Sequence, residues 1–309
     1  MSAVTEPENE LVRQESWPCT EPAELEVAID VGRVRVELAE STDEVWVEVR
    51  HEPGADSPWE QGLTGLLNWL GTATGGQAGA GAPADAGAAA VKAAEISWSE
   101  GARRLVVRST EQLPLRVVPL VVTVRAPARS RLAVRTGAGD VTVTGRAAWA
   151  AVRTGSGEAR VDEVDGAVEV TTGSGNVELG LVGGDASLKT GSGSLSVSSL
   201  SGSTTVKAGS GDVTVGEVRG NLTVKTGSGD LTVSDAVAGT FDLTTGSGRI
   251  RVGVHTGVGA ELDLTSGSGS ARSDLDVGGV APAESPALRI QGKTGSGDIR
   301  ITRAATAGV

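Results

Sequence analysis

The chain has 309 residues, of which 39% are hydrophobic and 2% aromatic, and its formal net charge is −12. That length supports a substantial core, but with no tyrosine and a single phenylalanine, Phe241, the core must be aliphatic. The lone Cys19 excludes an intramolecular disulfide framework, the acidic balance argues against general nucleic-acid or anionic-membrane binding, and the lack of a CxxC or His-rich cluster leaves no case for structural zinc or a cofactor.

Residues 1–14 read as a disordered N-terminus with Glu6, Glu8 and Glu10 and neither a basic n-region nor an apolar h-region. No secretory signal is therefore expected, nor a membrane span, since no run of about 18 apolar residues occurs. The expected location is cytoplasmic, with the cell surface as the alternative. Residues 15–52 read as irregular first β coils, because Leu25, Val27 and Ile29, then Val34 and Val36, then Val45, Val47 and Val49 alternate with polar partners. Residues 53–94 break that pattern. Pro58-Trp59-Glu60 opens a helix pattern in which Leu63, Leu66, Leu67 and Leu70 follow Trp59 at helical spacing, and Gly71 to Ala90 is a Gly/Ala-rich stretch expected to be flexible. Strand character returns at Ile96 to Trp98, Leu105 to Val107 and Val117 to Val124.

Residues 95–303 carry the repeats, and 304–309 read as a frayed end. The phrase Thr/Ser-Gly-Ser-Gly-Asp-Val recurs with first glycines at Gly137, Gly155, Gly173, Gly191, Gly209, Gly227, Gly246, Gly267 and Gly295, in steps of 18, 18, 18, 18, 18, 19, 21 and 28. A near-constant period means stacked units. Aligned on these glycines, Val141, Ala159, Val177, Leu195, Val213, Leu231, Ile250, Ala271 and Ile299 fall at one station, and a second begins two residues later at Val143. A third holds Val164, Val182, Leu200, Val218 and Val237, and the strands leading in contribute Val134, Val152, Val170, Leu188, Val206, Val224, Leu243 and Leu264. Glycine takes φ > 0 at least cost, so both the first glycines and the series Gly166, Gly184, Gly202, Gly220 and Gly239 are expected at corners. Two corners per repeat predict an all-β protein, a flattened β-solenoid of about 18-residue, single-stranded β-helix-like coils with two strand faces per rung, and a short helical or flexible insertion near the N-terminus. Nine rungs about 4.8 Å apart would span roughly 45 Å.

The run Val121-Val122-Thr123-Val124-Arg125-Ala126-Pro127, followed by Leu132 to Val143 with its Gly137-Ala138-Gly139-Asp140, resembles the bacterial β-strand-repeat family catalogued as domain of unknown function 4097 and labelled putative adhesin. The resemblance extends over about residues 15–303. It implies a β-solenoid with an adhesive or envelope-associated role.

Six of the nine residues before the turn threonines are basic, namely Arg135, Arg153, Lys189, Lys207, Lys225 and Lys293, with Thr171, Thr244 and Thr265 at the other three. Stacking would align them into a stripe for a polyanion or other partner. Alternatively Asp140, Glu158, Asp212, Asp230 and Asp298, just beyond the turns, offset it as a solvated face. A calcium row is disfavoured because Asn176, Ser194, Arg249 and Ser270 interrupt the aspartates. Lys293 precedes its glycines and so does not form a phosphate loop. His51 and His255 sit in no nucleophile or metal motif. The column Thr142, Thr214 and Thr232 is too interrupted by charge to bind ice, and the Trp59 stripe fits packing on the solenoid or a partner anchor. The expectation is a non-enzymatic scaffold or interaction protein with no catalytic, cofactor or metal site. Its partner would be a protein or polysaccharide. The alternatives are an exported surface adhesin and end-to-end self-association through an uncovered last rung at Ile299-Arg300-Ile301.

Overall fold

The computed structural model describes residues 12–51, 86–275 and 287–305. Apolar residues spaced by two put one face of every strand inward, and the coils stack those faces into a β-solenoid, as the period predicts. Its first full rung is β2 (Glu24–Ala39), which bends at Gly32 and pairs in parallel along most of its length with β7 (Arg131–Ala147). Each later coil supplies one strand to each of two sheets. The first sheet continues through β8 (Trp149–Ser156), β10 (Val168–Ser174), β12 (Ala186–Ser192), β14 (Thr204–Ser210), β16 (Leu222–Ser228) and β18 (Gly239–Ser247). The second runs through β9 (Ala159–Val164), β11 (Val177–Val182), β13 (Leu195–Leu200), β15 (Val213–Val218), β17 (Leu231–Ala236) and β19 (Ile250–Val254). Leu188, Leu195, Leu200, Phe241 and Ile250 are fully buried between the sheets. Each such side chain contributes about 1.5–3 kcal/mol relative to an exposed one.

The N-terminal end is closed by antiparallel strands and a helix. Here β1 (Val12–Pro18) pairs with β3 (Glu44–His51), β3 with β6 (Leu120–Pro127), and β4 (Glu95–Ser99) with β5 (Arg104–Arg108). Trp17 of β1 and Trp98 of β4 stack with ring centroids 5.7 Å apart, joining the edges of the two sheets. The helix α1 (Ala86–Ala93) buries Ala88, Ala90 and Val91 at this end. It begins inside the Gly/Ala-rich stretch expected to be flexible: small side chains let it lie flat, and at Gly87 the His51 ring occupies the place of a Cβ. The helix expected around 58–71 lies outside the described residues.

Three further expectations are corrected. The third inward station is filled at β17 by Ala236, which pairs with Val218, while Val237 sits at the following corner. The first glycines are not the corners with unusual backbone. Positive φ falls on the second glycine in eight of the nine phrases, all but Gly139, for example Gly193 at +131° and Gly211 at +130°. Gly191 and Gly209 lie one residue before the ends of their strands, and a Cβ there would lie 2.4 and 2.5 Å from the carbonyl oxygens of Gly173 and Gly191.

The last coil in sequence is also not the last rung in space. Strand β22 (Leu288–Ser296) lies between β18 and β20 (Ala260–Ser268), and β23 (Ile299–Arg303) lies between β19 and β21 (Ala271–Ser273). The 28-residue step from Gly267 to Gly295 spans this crossing. Hydrophobicity accounts for the order. Leu288, Ile290, Ile299 and Ile301 are buried in the inserted coil, whereas Ala271, Arg272 and Ser273 are exposed, so the less apolar coil takes the outer position. Leu264 tucks against Gly292, where a Cβ would stand 3.1 Å from its Cδ2. The edge expected at Ile299-Arg300-Ile301 is therefore covered on both sides, and β20 and β21 form the terminal rung among the described residues.

Two substitutions test this geometry. Gly211→Val places a Cβ 2.2 Å from the Gly193 carbonyl oxygen at φ +130° and is expected to cost more than about 2 kcal/mol in chemical denaturation, whereas Gly101→Ala, with nothing within 4 Å, should be near neutral. A cysteine pair at Thr244 and Lys293, on adjacent rungs, should form a disulfide on oxidation, whereas a pair at Thr244 and Thr265 should not. The reverse result would restore sequence order to the stack.

Candidate functional site

The basic residues before the turn threonines fall in one in-register column on the outer face of the first sheet. From rung to rung it reads Arg135, Arg153, Thr171, Lys189, Lys207, Lys225, Thr244, Lys293 and Thr265. All six basic members are exposed. At about 4.8 Å per rung, the column from Arg135 to Lys293 covers roughly 34 Å and the lysine triplet roughly 10 Å. The threonines that follow point the other way: Thr136, Thr154, Thr190 and Thr245 are buried. Thr154 and Thr245 donate to the carbonyls of Gly139 and Gly229 in the preceding coil, at 3.2 Å each. A hydroxyl recurring at the inward parity of a strand was the signal for this role.

The aspartates beyond the turns are engaged by main-chain donors. Asp140 accepts the Glu158 N–H at 2.9 Å, Asp212 the Asp230 N–H at 2.8 Å, Asp230 the Arg249 N–H at 2.8 Å and Asp298 the Ser270 N–H at 2.8 Å. Asn176 does the same for Ser194 at 3.0 Å, which explains why Asp and Asn interchange at this position. At the opposite corner Asp185 and Asn221 accept the N–H groups of Ser203 and Thr240. Glu158 pairs with Arg160.

Of the six basic residues, Arg153 meets an acid, Glu169 at 3.2 Å. Among the described residues, Arg135, Lys189, Lys207, Lys225 and Lys293 form no ion pair. Beside the lysine triplet, on the same face, stand Ser187, Thr205 and Thr223. On the other side lie the exposed Gly191, Gly209 and Gly227, then the exposed Ser192, Ser210 and Ser228. Like charges directly opposite on neighbouring strands are mutually destabilising. Two carboxylates of the same face, Glu169 and Asp242, stand diagonally from Lys189 and Lys225 at the ends of the triplet. Elsewhere on the surface arginines pair with acids. Arg160 meets Glu178 at 2.7 Å, Arg146 meets Glu163 at 2.6 Å and Arg300 meets Asp274 at 2.7 Å. The Arg160 guanidinium holds the Glu178 carboxyl below its ordinary range.

The histidines are not brought together. His51 Nδ1 lies 2.9 Å from the Pro119 carbonyl oxygen, and His255 Nδ1 lies 2.8 Å from Asp235 Oδ2. No group of three or more His, Cys, Asp or Glu side chains placed to hold a metal ion occurs among the described residues, nor any helix long and apolar enough to cross a membrane.

No family model matches the chain, and no curated protein matches it. Among solved structures, it is similar to one described as a putative adhesin from Bacteroides fragilis, with 13% identity over 94% of this chain and 96% of that one and a TM-score of 0.34. A second putative adhesin, from Parabacteroides distasonis, shares 10% identity over 94% and 96% of the two chains, with a TM-score of 0.38. A protein from the same species described as a putative lipid binding protein shares 10% identity over 96% and 98%, with a TM-score of 0.34. These TM-scores are too low to carry an argument, and the functional reading rests on the face itself.

The corner carboxylates give the protein an acid-sensitive element. The Arg249 main-chain N–H, assisted by its guanidinium, holds the Asp230 carboxyl below its ordinary value of 3.8. Asp298 is lowered likewise, first by the Ser270 N–H and then by its hydroxyl. A lowered folded-state value means the stabilisation is complete above the ordinary carboxyl value and is lost as pH falls through the folded one. Asp230→Asn keeps the acceptor and removes the titration. Its melting temperature should therefore fall less than the parent's on acidification below about pH 4.

Proposed function

We propose that this protein is a non-enzymatic, adhesin-like interaction scaffold that docks an extended partner along the outer face of its first sheet. The observation that carries the reading is the Lys189, Lys207 and Lys225 triplet, in register on consecutive rungs and without an ion pair, on a chain of net charge −12. The stack holds these ammonium groups in line because each lysine is fixed to its neighbour by the parallel ladder of main-chain hydrogen bonds. On the second sheet Arg160, Arg251 and Arg300 each lie near a carboxylate, of Glu178, Asp230 and Asp274, whereas the three lysines form no ion pair. A partner with negative groups would relieve the repulsion and gain from the rigidity of the track's backbone, with only the lysine side chains left to order.

The reading makes a paired prediction. Lys207→Thr, which installs the residue that Thr171 and Thr244 supply at the same station, should raise stability by about 0.2–1 kcal/mol in chemical denaturation. The triple variant Lys189→Thr, Lys207→Thr and Lys225→Thr should lose the partners that the parent retains from an extract of producing cells. The variant Ser196→Glu, Thr214→Glu and Thr232→Glu, which changes the net charge equally but on three consecutive rungs of the second sheet, should keep them. Identical partner sets from all three proteins would remove the first sheet as the docking face.

A further inference from the structure

We infer that the lysine triplet and the hydroxyl columns beside it form a binding track for a linear acidic polysaccharide lying along the stacking axis. This rests on the reading of the first sheet as the docking face and adds the chemistry of the occupant. Three features of the face select it. The positive charges follow a straight line perpendicular to the strands, one per rung at about 4.8 Å, so an occupant making all three contacts must itself be extended and carry repeated negative groups. Hydroxyls flank that line on one side, at Ser187, Thr205 and Thr223, while Ser192, Ser210 and Ser228, at the opposite strand parity, are exposed at the corner beyond it. Such groups donate and accept, as the hydroxyls of a sugar chain do. Between the lysines and the serines run Gly191, Gly209 and Gly227, whose missing side chains leave a level shelf of backbone.

The glycine shelf is imposed by stacking, because a Cβ on Gly209 would meet the Gly191 carbonyl oxygen at 2.5 Å. The lysines are not imposed, since threonine occupies the same station at 171, 244 and 265. The charge is thus a property added to the fold at consecutive rungs rather than a by-product of it.

Other polyanions fit less well. Single-stranded nucleic acid is held by stacking its bases on aromatic side chains as well as by charge. From Thr171 to Lys293 the column and the Glu169-to-Gln291 column beside it contain no aromatic residue. An anionic bilayer is gripped by apolar side chains that enter it beside the basic ones. The large exposed hydrophobic residues among those described are Leu113 and Leu181, neither of them on this face.

The test uses the full chain in direct binding assays with five probes: polygalacturonate, dextran sulfate, neutral dextran, a single-stranded oligonucleotide, and vesicles containing phosphatidylserine. Polygalacturonate, dextran sulfate or both should bind, and the Lys189→Thr, Lys207→Thr, Lys225→Thr variant should weaken that binding at least tenfold. The Ser196→Glu, Thr214→Glu, Thr232→Glu variant should leave it within about twofold. Which of the two polymers binds identifies carboxylate or sulfate as the source of the charge. Equal binding of neutral dextran overturns the proposal, as does lysine-dependent binding of the oligonucleotide or the vesicles without either acidic polysaccharide. Both variants leave the buried core unchanged, and a cooperative melt with the parent's far-UV circular dichroism verifies this. If no acidic polysaccharide binds while the lysine variant still loses its partners from extract, the occupant proposed here is wrong and the docking face stands. If the lysine variant changes neither, both fail.

Discussion

The carbonyl oxygen of Gly175 lies 2.2 Å from the place where a Cβ would stand on Gly193, and the same approach recurs from Gly157 to Gly297. This contact between successive corners sets everything else in the molecule. It fixes the distance between coils, it makes the Gly-Ser-Gly phrase obligatory, and it forces each strand into register with the one below. Because the register is fixed, a residue type at one station becomes a column on the surface or in the core. The buried aliphatic stations, the inward threonines and the outward lysines are all consequences of that one close approach.

Polar side chains complete the corners. Once the turn reverses the chain, main-chain N–H groups at the start of the next strand need an acceptor, and an Asp or Asn of the preceding coil supplies it, as Asp212 does for Asp230 and Asp230 for Arg249. Both sheets carry Arg–carboxylate pairs, Arg160–Glu178 on the second and Arg153–Glu169 and Arg289–Glu261 on the first, each worth little to stability. The first holds a line of ammonium groups with hydroxyls and bare backbone around it. Parallel stacking holds whatever stands at one station at a fixed spacing from rung to rung.

The ends of the stack are handled differently. At the start, antiparallel strands, the Trp17–Trp98 stack and the helix at Ala86–Ala93 close the sheets, which limits the pairing of exposed edges with other chains. At the other end the chain folds back, so that its most apolar late coil is enclosed and the coil containing Ala271 and Ser273 faces outward. That inversion exchanges a buried hydrophobic rung for a more polar terminal one. It also leaves Glu261 and Asp263 on the outermost strand, where charge discourages further pairing.

The sequence by itself determined the all-β class, the period, the two-sheet coil and the alignment of the basic column. These follow from local rules that act within one repeat and are copied into the next: strand alternation, glycine corners and a constant step. Tertiary structure alone decided what depends on contacts between repeats or between distant segments. The role of the corner aspartates belongs here, since their partners lie in a neighbouring coil and no spacing within one coil announces them. The helix at Ala86–Ala93 forms because the end of the stack offers it an apolar surface, and composition read in isolation cannot include that surface. The order of the last coils was decided in the same way: a connection of 28 residues between corners permits more than one path, and burial of Leu288, Ile290, Ile299 and Ile301 selects one.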